Sequence, residues 1–440
     1  MLSRADSTRL ETSLLKRVLA NCGVLAVALL SACSGGGGGA KLPAASTGAA
    51  PATSGPAPVA ASGASAQTHV MTADYLGGYA GTHSVAASNA APYLTWAETN
   101  SSDAGAISSA GIKTMEYLDP FRQAKNDPLY SSDEATFSHD CSGGRIAIHY
   151  NGGTSHVTQY LMNPASSHLM KLLNTWEDAE ESAGHFDAFY FDDMDDLGGA
   201  AAPCDISSSA WDASNSAFVQ GSAHPIAFSG YALNSDASTL LTDSNSIGGV
   251  VEECYSRTSQ PTPPYTTGSI WTHDENLELA AAAAGKQFFC YNNGGETAAS
   301  STQLRLYVFA SFLLTYSPAS SVLWETFSTP SGLHVFPESA LVPTQPRIVA
   351  PGSVDDLKAT SGLYVREYAT CSLAGTNVGG CAVIVNADTS GSHALPPLSG
   401  SYSHTLTITG DGVVDGGTAS ATGAAPPAQV PPETGLIALQ

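Results

Sequence analysis

Basic charge is what this sequence has least of. Lysine and arginine number 16 against 39 aspartates and glutamates, a formal net charge of −23, and charged residues make up only 12% of the 440. A surface of that sign repels phosphate backbones, which excludes nucleic acid as a partner. Metal spacing is lacking too: there is no Cys-x-x-Cys and no paired histidine spacing, so the cysteines do not read as a metal site. No Gly-x-Ser-x-Gly elbow follows a strand, which argues against a Ser-His-Asp hydrolase. Gly77-Gly78-Tyr79-Ala80-Gly81 matches the phosphate turn of a doubly wound sheet only loosely, and no organic cofactor is expected.

The longest apolar run, Val18 to Leu30, is interrupted by Asn21 and Gly23 and is short for a membrane span. Lys16 and Arg17 precede it and Leu30-Ser31-Ala32-Cys33 ends it. This segment resembles a bacterial lipoprotein signal with its lipobox. The resemblance implies removal of residues 1–32 and acylation of Cys33, anchoring the protein to a membrane on its periplasmic or extracellular face. Ser34 after the cysteine favours the outer membrane in the enterobacterial pattern. Residues 33–67 are Gly, Ala, Pro, Ser and Thr with almost no large apolar group, the composition of a tether that cannot bury enough surface to fold.

Six cysteines follow Cys33: Cys141, Cys204, Cys254, Cys290, Cys371 and Cys381. An even number in an oxidising compartment predicts disulfides, and Cys371 with Cys381 spans a short segment that can close locally. The other pairings stay open.

Over residues 68–340, short apolar strands alternate with helical stretches, the pattern of a (β/α)₈ barrel. The predicted strands run near Thr72–Tyr79, Lys113–Leu118, Arg145–Tyr150, Phe186–Asp192, Ile226–Tyr231, Gly249–Tyr255, Gln287–Asn292 and Ser321–Glu325. Helices are predicted at Ser167–Ser182, at Asn276–Ala284 with Asp274 as its cap, and at Thr302–Thr315. From 341 to 440 the helical period disappears and β-type runs at Gly362–Tyr368, Cys381–Asn386, Tyr402–Thr409 and Gly435–Leu439 predict a small antiparallel β-sandwich.

Two strands end in acids. The fourth runs Asp187-Ala188-Phe189-Tyr190-Phe191-Asp192-Asp193, and the sixth Gly249-Val250-Val251-Glu252-Glu253. Catalytic groups of such barrels sit at the carboxyl ends of the strands, and glycoside cleavage needs two carboxyl groups in different protonation states. The fourth strand resembles the Asp-Gly-apolar-x-x-Asp strand of α-glucosidase-like, α-galactosidase-like and polygalactosaminidase-like barrels. The sixth is similar to the Gly-Val-Met-x-Glu strand of uncharacterised bacterial glycoside hydrolase families. Leu363 to Tyr368, Val383 to Asn386 and Pro431 to Ile437 resemble the C-terminal β domain of those families.

In the first two groups the fourth-strand aspartate is the nucleophile and a sixth-strand carboxyl is the acid/base. Aligning Ala188 with Gly249 makes Asp192 and Glu253 the leading pair, Asp192 as nucleophile or base and Glu253 as proton donor. A one-residue slip makes it Asp193 and Glu252. Asp195 and Asp196 read as solvated loop residues. Other strand ends offer sugar-binding groups: Glu116, Tyr117 and Asp119; His149 and Tyr150; Tyr291 and Asn292; Trp324 and Glu325. The expected activity is hydrolysis of a glycosidic bond in an envelope, capsule or exopolysaccharide. A barrel that binds glycan at the cell surface without cleaving it is the alternative.

Overall fold

The computed structural model describes residues 67–77, 85–152, 155–194, 203–230, 241–256, 265–292, 302–347 and 351–440. The predicted signal and tether, including Cys33, lie outside the described residues, except Gln67. Eight parallel strands close a barrel: β1 (Met71–Tyr75), β2 (Trp96–Glu98), β3 (Lys113–Leu118), β4 (Ala188–Phe191), β5 (Ile226–Phe228), β6 (Ser246–Glu252), β7 (Gln287–Asn292) and β8 (Ser321–Glu325). Each strand pairs with its sequence neighbours, and β8 closes on β1. This is the (β/α)₈ architecture that the alternation predicts.

One strand differs from the expected set. The second barrel strand is Trp96–Glu98, only three residues long, and Arg145–Tyr150 is not in the barrel. Ala147–Gly152 instead pairs antiparallel with Ser155–Leu161, which pairs with Arg122–Ala124, in a three-stranded sheet inserted between β3 and β4. The connection is too short for a parallel crossover, which needs a dozen or more residues; apolar content alone did not reveal this.

Alternation along the strands separates two cores. Ala73, Trp96, Met115, Ala188, Tyr190, Ala227, Val250, Phe289, Val322 and Trp324 fill the barrel, whereas Phe189, Phe191, Phe228, Val251, Phe288 and Leu323 face outward to the helices. Outside, the helix Ser167–Gly184 is capped by the Ser166 hydroxyl, which accepts from the Leu169 N–H, and stops at His185 in the left-handed conformation. Gly268–Ala284 starts earlier than predicted, after Thr267, so Asp274 is a buried residue inside the helix and not its cap. Thr302–Thr315 has eleven of its 14 residues buried, because it lies between the barrel and the C-terminal sheet.

That sheet has the main-path order Leu341–Pro346, Leu363–Leu373, Cys381–Asn386, Thr434–Leu439, His404–Thr405. Its second layer consists of loop and ribbon residues, Val430 with Leu395, Leu398 and Tyr402. The expected Tyr402–Thr409 strand is split into His404–Thr405 and Thr407–Thr409. Tyr368 and Arg366 donate to the carbonyls of Leu313 and Leu314 at 2.7 and 2.9 Å, satisfying the end of the Thr302–Thr315 helix. Gly435 makes the approach possible: a Cβ there would sit 2.5 Å from the Leu306 carbonyl oxygen.

Three disulfides form, Cys141–Cys204, Cys254–Cys290 and the expected local Cys371–Cys381. Cys254–Cys290 ties the end of β6 to β7 across 36 residues, worth roughly 3–4 kcal/mol in the chain-entropy account.

Behind β6 to β8 lies a buried carboxyl pair, Glu275 and Glu278, both in contact with the Thr315 hydroxyl at 2.7 and 2.6 Å. Burial pushes Glu278 up to about 7, and burial followed by the charge of Glu278 pushes Glu275 well above its ordinary range. A carboxyl raised in the folded chain favours folding below the unfolded value and loses that contribution as pH rises through the folded one. Glu278→Gln should therefore match the wild type at pH 4 and gain on it up to pH 7.5, by at most roughly 3 kcal/mol. Urea midpoints at the two pH values check this; a gap that does not grow with pH contradicts it.

Candidate active site at the carboxyl end of the barrel

The inward and outward residues of β4 and β6 decide which acids meet. Ala188 and Tyr190 face into the barrel, so Asp192 continues that row, and Val250 does the same for Glu252. Val251 and Cys254 belong to the outer core. Glu253 lies past the end of the strand, where the alternation stops: it is buried at 2% exposure, takes φ 55°, and its carbonyl accepts from the Thr266 hydroxyl at 3.3 Å. Asp193 takes φ 54° and turns its carboxylate to Arg122, 2.5 Å away. Aspartate tolerates that backbone better than most residues.

Neither pairing drawn from the sequence joins the two acids that continue the inward rows. The structure couples Asp192 to Glu252, the two inward ones. The reason is parity: Ala188 points inward and Gly249 outward, so aligning them puts the two strands one residue out of phase.

Asp192 is held as an acceptor. The Tyr117 hydroxyl donates to Oδ2 at 2.8 Å, the Ser229 hydroxyl to Oδ1 at 2.7 Å, and the Asp193 N–H to the same Oδ1 at 2.8 Å. Ser229 lies just beyond β5 and accepts from the Asp193 N–H at 2.7 Å, so it fixes both acids. Glu252 receives the Tyr190 hydroxyl on Oε1 at 3.0 Å and shares a carboxyl–carboxyl hydrogen bond with Asp192. Burial, then the charges of Asp192 and Asp193, push Glu252 well above the ordinary carboxylate range. The arrangement makes Glu252 the carrier of a proton beside a donor-bound Asp192.

Asp119 stands behind the pair. Its Oδ1 accepts the N–H groups of Phe121 and Arg122 at 3.2 and 2.9 Å, and burial raises it to about 7, with Arg122 opposing and Asp192 adding to the rise. An aromatic wall adjoins the pair. Tyr75, Tyr190 and Tyr291 meet Trp324 edge-on with ring centroids 5.3, 5.9 and 5.0 Å away, and the hydroxyls of Tyr75 and Tyr291 are 3.0 Å apart. Trp324 is fully buried, while Tyr75, Tyr117, Asp192, Glu252 and Tyr291 are half-buried.

One inward acid was not anticipated. Glu98, at the end of β2, is buried and its charge acts on Tyr190 and Tyr291. The available signal was the alternation Trp96-Ala97-Glu98, an inward aromatic two residues before an acid.

The remaining predicted residues lie elsewhere. Glu116 faces outward; burial, then the charge of Glu180, raises it to about 8. Asn292 also faces outward, and its Oδ1 accepts the Tyr255 N–H at 2.9 Å, which shapes the turn after β6. Glu325 is buried toward Arg305 and Glu338; burial first and then the charge of Glu338 raise it. His149 is exposed on the inserted sheet, with Nδ1 3.3 Å from the Thr158 hydroxyl. The Tyr150 side chain, Asp195 and Asp196 lie outside the described residues. Among the described residues no group of three or more His, Cys, Asp or Glu side chains is arranged to hold a metal ion.

No family model matches the chain, and no curated protein does. Solved structures with a similar barrel include the glycoside hydrolase domain of PelA from Pseudomonas aeruginosa, at 12% identity, 60% of this chain, 95% of that chain and a TM-score of 0.37. An α-galactosidase from Thermus thermophilus in complex with stachyose shares 11% identity over 61% of this chain and 63% of its own, with a TM-score of 0.38. A glycoside hydrolase family 30 subfamily 8 xylanase from Clostridium acetobutylicum shares 11% over 85% and 97%, with a TM-score of 0.36. These neighbours carry glycoside hydrolase or glycosidase names, and at such scores the likeness is one of general shape that bears no weight on the chemistry.

Proposed function

We propose that this chain hydrolyses a glycosidic bond in a polysaccharide, with Asp192 and Glu252 as its two carboxyl groups. The observation that carries the reading is their joint placement: both face inward at the carboxyl end of the barrel, hydrogen-bonded to each other, one held by three donors and the other carrying the proton. General acid catalysis near neutral pH needs a carboxyl that is still protonated there, and burial beside a second carboxylate supplies it.

Glu252 gives its proton to the glycosidic oxygen as the bond to the anomeric carbon breaks. Asp192 either bonds to that carbon or takes a proton from the attacking water. A sugar entering the site replaces the carboxyl–carboxyl hydrogen bond by one from Glu252 to the glycosidic oxygen. The half-buried rings of Tyr75 and Tyr291 offer apolar faces and hydroxyls to the sugar. The rate is lost as pH rises through the elevated value of Glu252, because the acid is then spent.

Product release from a glycan panel tests this. Asp192→Asn and Glu252→Gln should each lower the rate about 10²–10⁴-fold, whereas Glu253→Gln, outside the coupled pair, should stay within about tenfold of wild type. An aryl glycoside whose leaving group needs no proton should restore Glu252→Gln but not Asp192→Asn. Glycan binding with no cleavage by the wild type would replace the enzyme reading with a binding one.

We further propose that Cys33 carries the lipid that anchors the protein, supported by the resemblance of residues 16–33 to a lipoprotein signal. Metabolic labelling with an alkynyl fatty acid should mark the wild type and not Cys33→Ala; equal labelling contradicts the assignment.

A further inference from the structure

We infer that Tyr190 is a positioning residue that decides which oxygen of Glu252 holds the proton. The inference rests on the dyad reading of Asp192 and Glu252. Tyr190 lies one residue pair below Asp192 on the inward face of β4, 5% exposed, with its hydroxyl donating to Glu252 Oε1 at 3.0 Å. Its ring is fixed on two sides, edge-on to Tyr117 at 5.7 Å and to Trp324 at 5.9 Å. A phenol locked in that way offers its hydrogen to one oxygen and leaves the proton of Glu252 to the other, Oε2, the oxygen free to face Asp192 or a glycosidic oxygen.

The two carboxyls thus have separate phenol donors. Tyr117 serves Asp192 and Tyr190 serves Glu252. Asp192 collects two further donors from Ser229 and the Asp193 N–H, so the two acids are unequally supplied with donors. Tyr190 stays a donor across the working range, since burial and then the charge of Glu252 push its hydroxyl well above the ordinary tyrosine value. The titratable groups around Glu252 are Tyr190, Asp192 and Asp193 from β4 and its end, and Tyr291 from β7. Arg122 reaches the layer through Asp193, and Glu98 through Tyr190 and Tyr291.

A phenol donating to a carboxyl favours its ionised form. Carbon NMR of protein labelled at the glutamate carboxyl, with the Glu252 resonance assigned by Glu252→Gln, reads the titration midpoint directly and without substrate. Tyr190→Phe should move the midpoint upward. Replacement of Tyr190 by 3,5-difluorotyrosine, which keeps the shape and strengthens the donor, should move it downward and covers the case in which the phenylalanine variant does not fold. An unchanged midpoint in the fluorinated protein, or shifts in the opposite order, overturns the inference. On a cleaved glycan, Tyr190→Phe should lower kcat about 10–100-fold with little change in KM, and lose less on an aryl glycoside; equal losses on both substrates indicate a merely structural role. Absence of glycan cleavage by the wild type would sink the hydrolase reading and leave the NMR result standing, so the two failures are distinguishable.

Discussion

Two carboxyl groups placed in contact cannot both ionise, and that constraint organises the carboxyl end of this barrel. Burial and the neighbouring Asp192 keep the proton on Glu252. Their donors are unequal: three go to Asp192, and the Tyr190 hydroxyl goes to Glu252. The second charge nearby, Asp193, is turned aside onto Arg122, yet it still adds to the elevation of Glu252. Burial and like charge act in the same direction on Glu252, while Asp192 is held by three donors, which is how a pair of chemically similar acids acquires different roles.

The rest of the fold keeps that contact in place. Parallel pairing of β4 through β5 to β6 sets the level of the two strand ends, and Cys254–Cys290 pins the end of β6 to β7. The C-terminal sheet supports the same side of the barrel through the Thr302–Thr315 helix, where Arg366 and Tyr368 bind the terminal carbonyls, and through the Gly268–Ala284 helix, where Trp271 packs on Tyr364 at 4.6 Å. One continuous apolar core runs from the outer faces of β4 and β6 into that sheet, so barrel and sheet are stabilised together.

The barrel was legible because long apolar strands alternating with amphipathic helices have few other solutions. What failed to show was local. Trp96–Glu98 is too short to stand out as a strand, although three residues suffice when both neighbours supply the hydrogen bonds. Arg145–Tyr150 has strand composition, and composition does not distinguish a barrel strand from a hairpin arm. At the site, residue type was easier to read than direction. Asp192, Tyr117 and Tyr291 were legible as acids and aromatics after strands and do face inward, but Glu116, Asn292 and Glu325 lie one position away on the other parity and face the helices. Choosing Glu253 over Glu252 was the same parity problem, and a small inward residue at 188 opposite an outward glycine at 249 gives no sequence signal of it.

The most direct test of the central claim is the protonation of Glu252 with and without its partner. In carboxyl-labelled protein, Asp192→Asn should lower the Glu252 titration midpoint, because a neighbouring charge is gone, while Glu253→Gln should leave it where it was. A Glu252 midpoint indifferent to Asp192, or one that follows Glu253, would contradict the account.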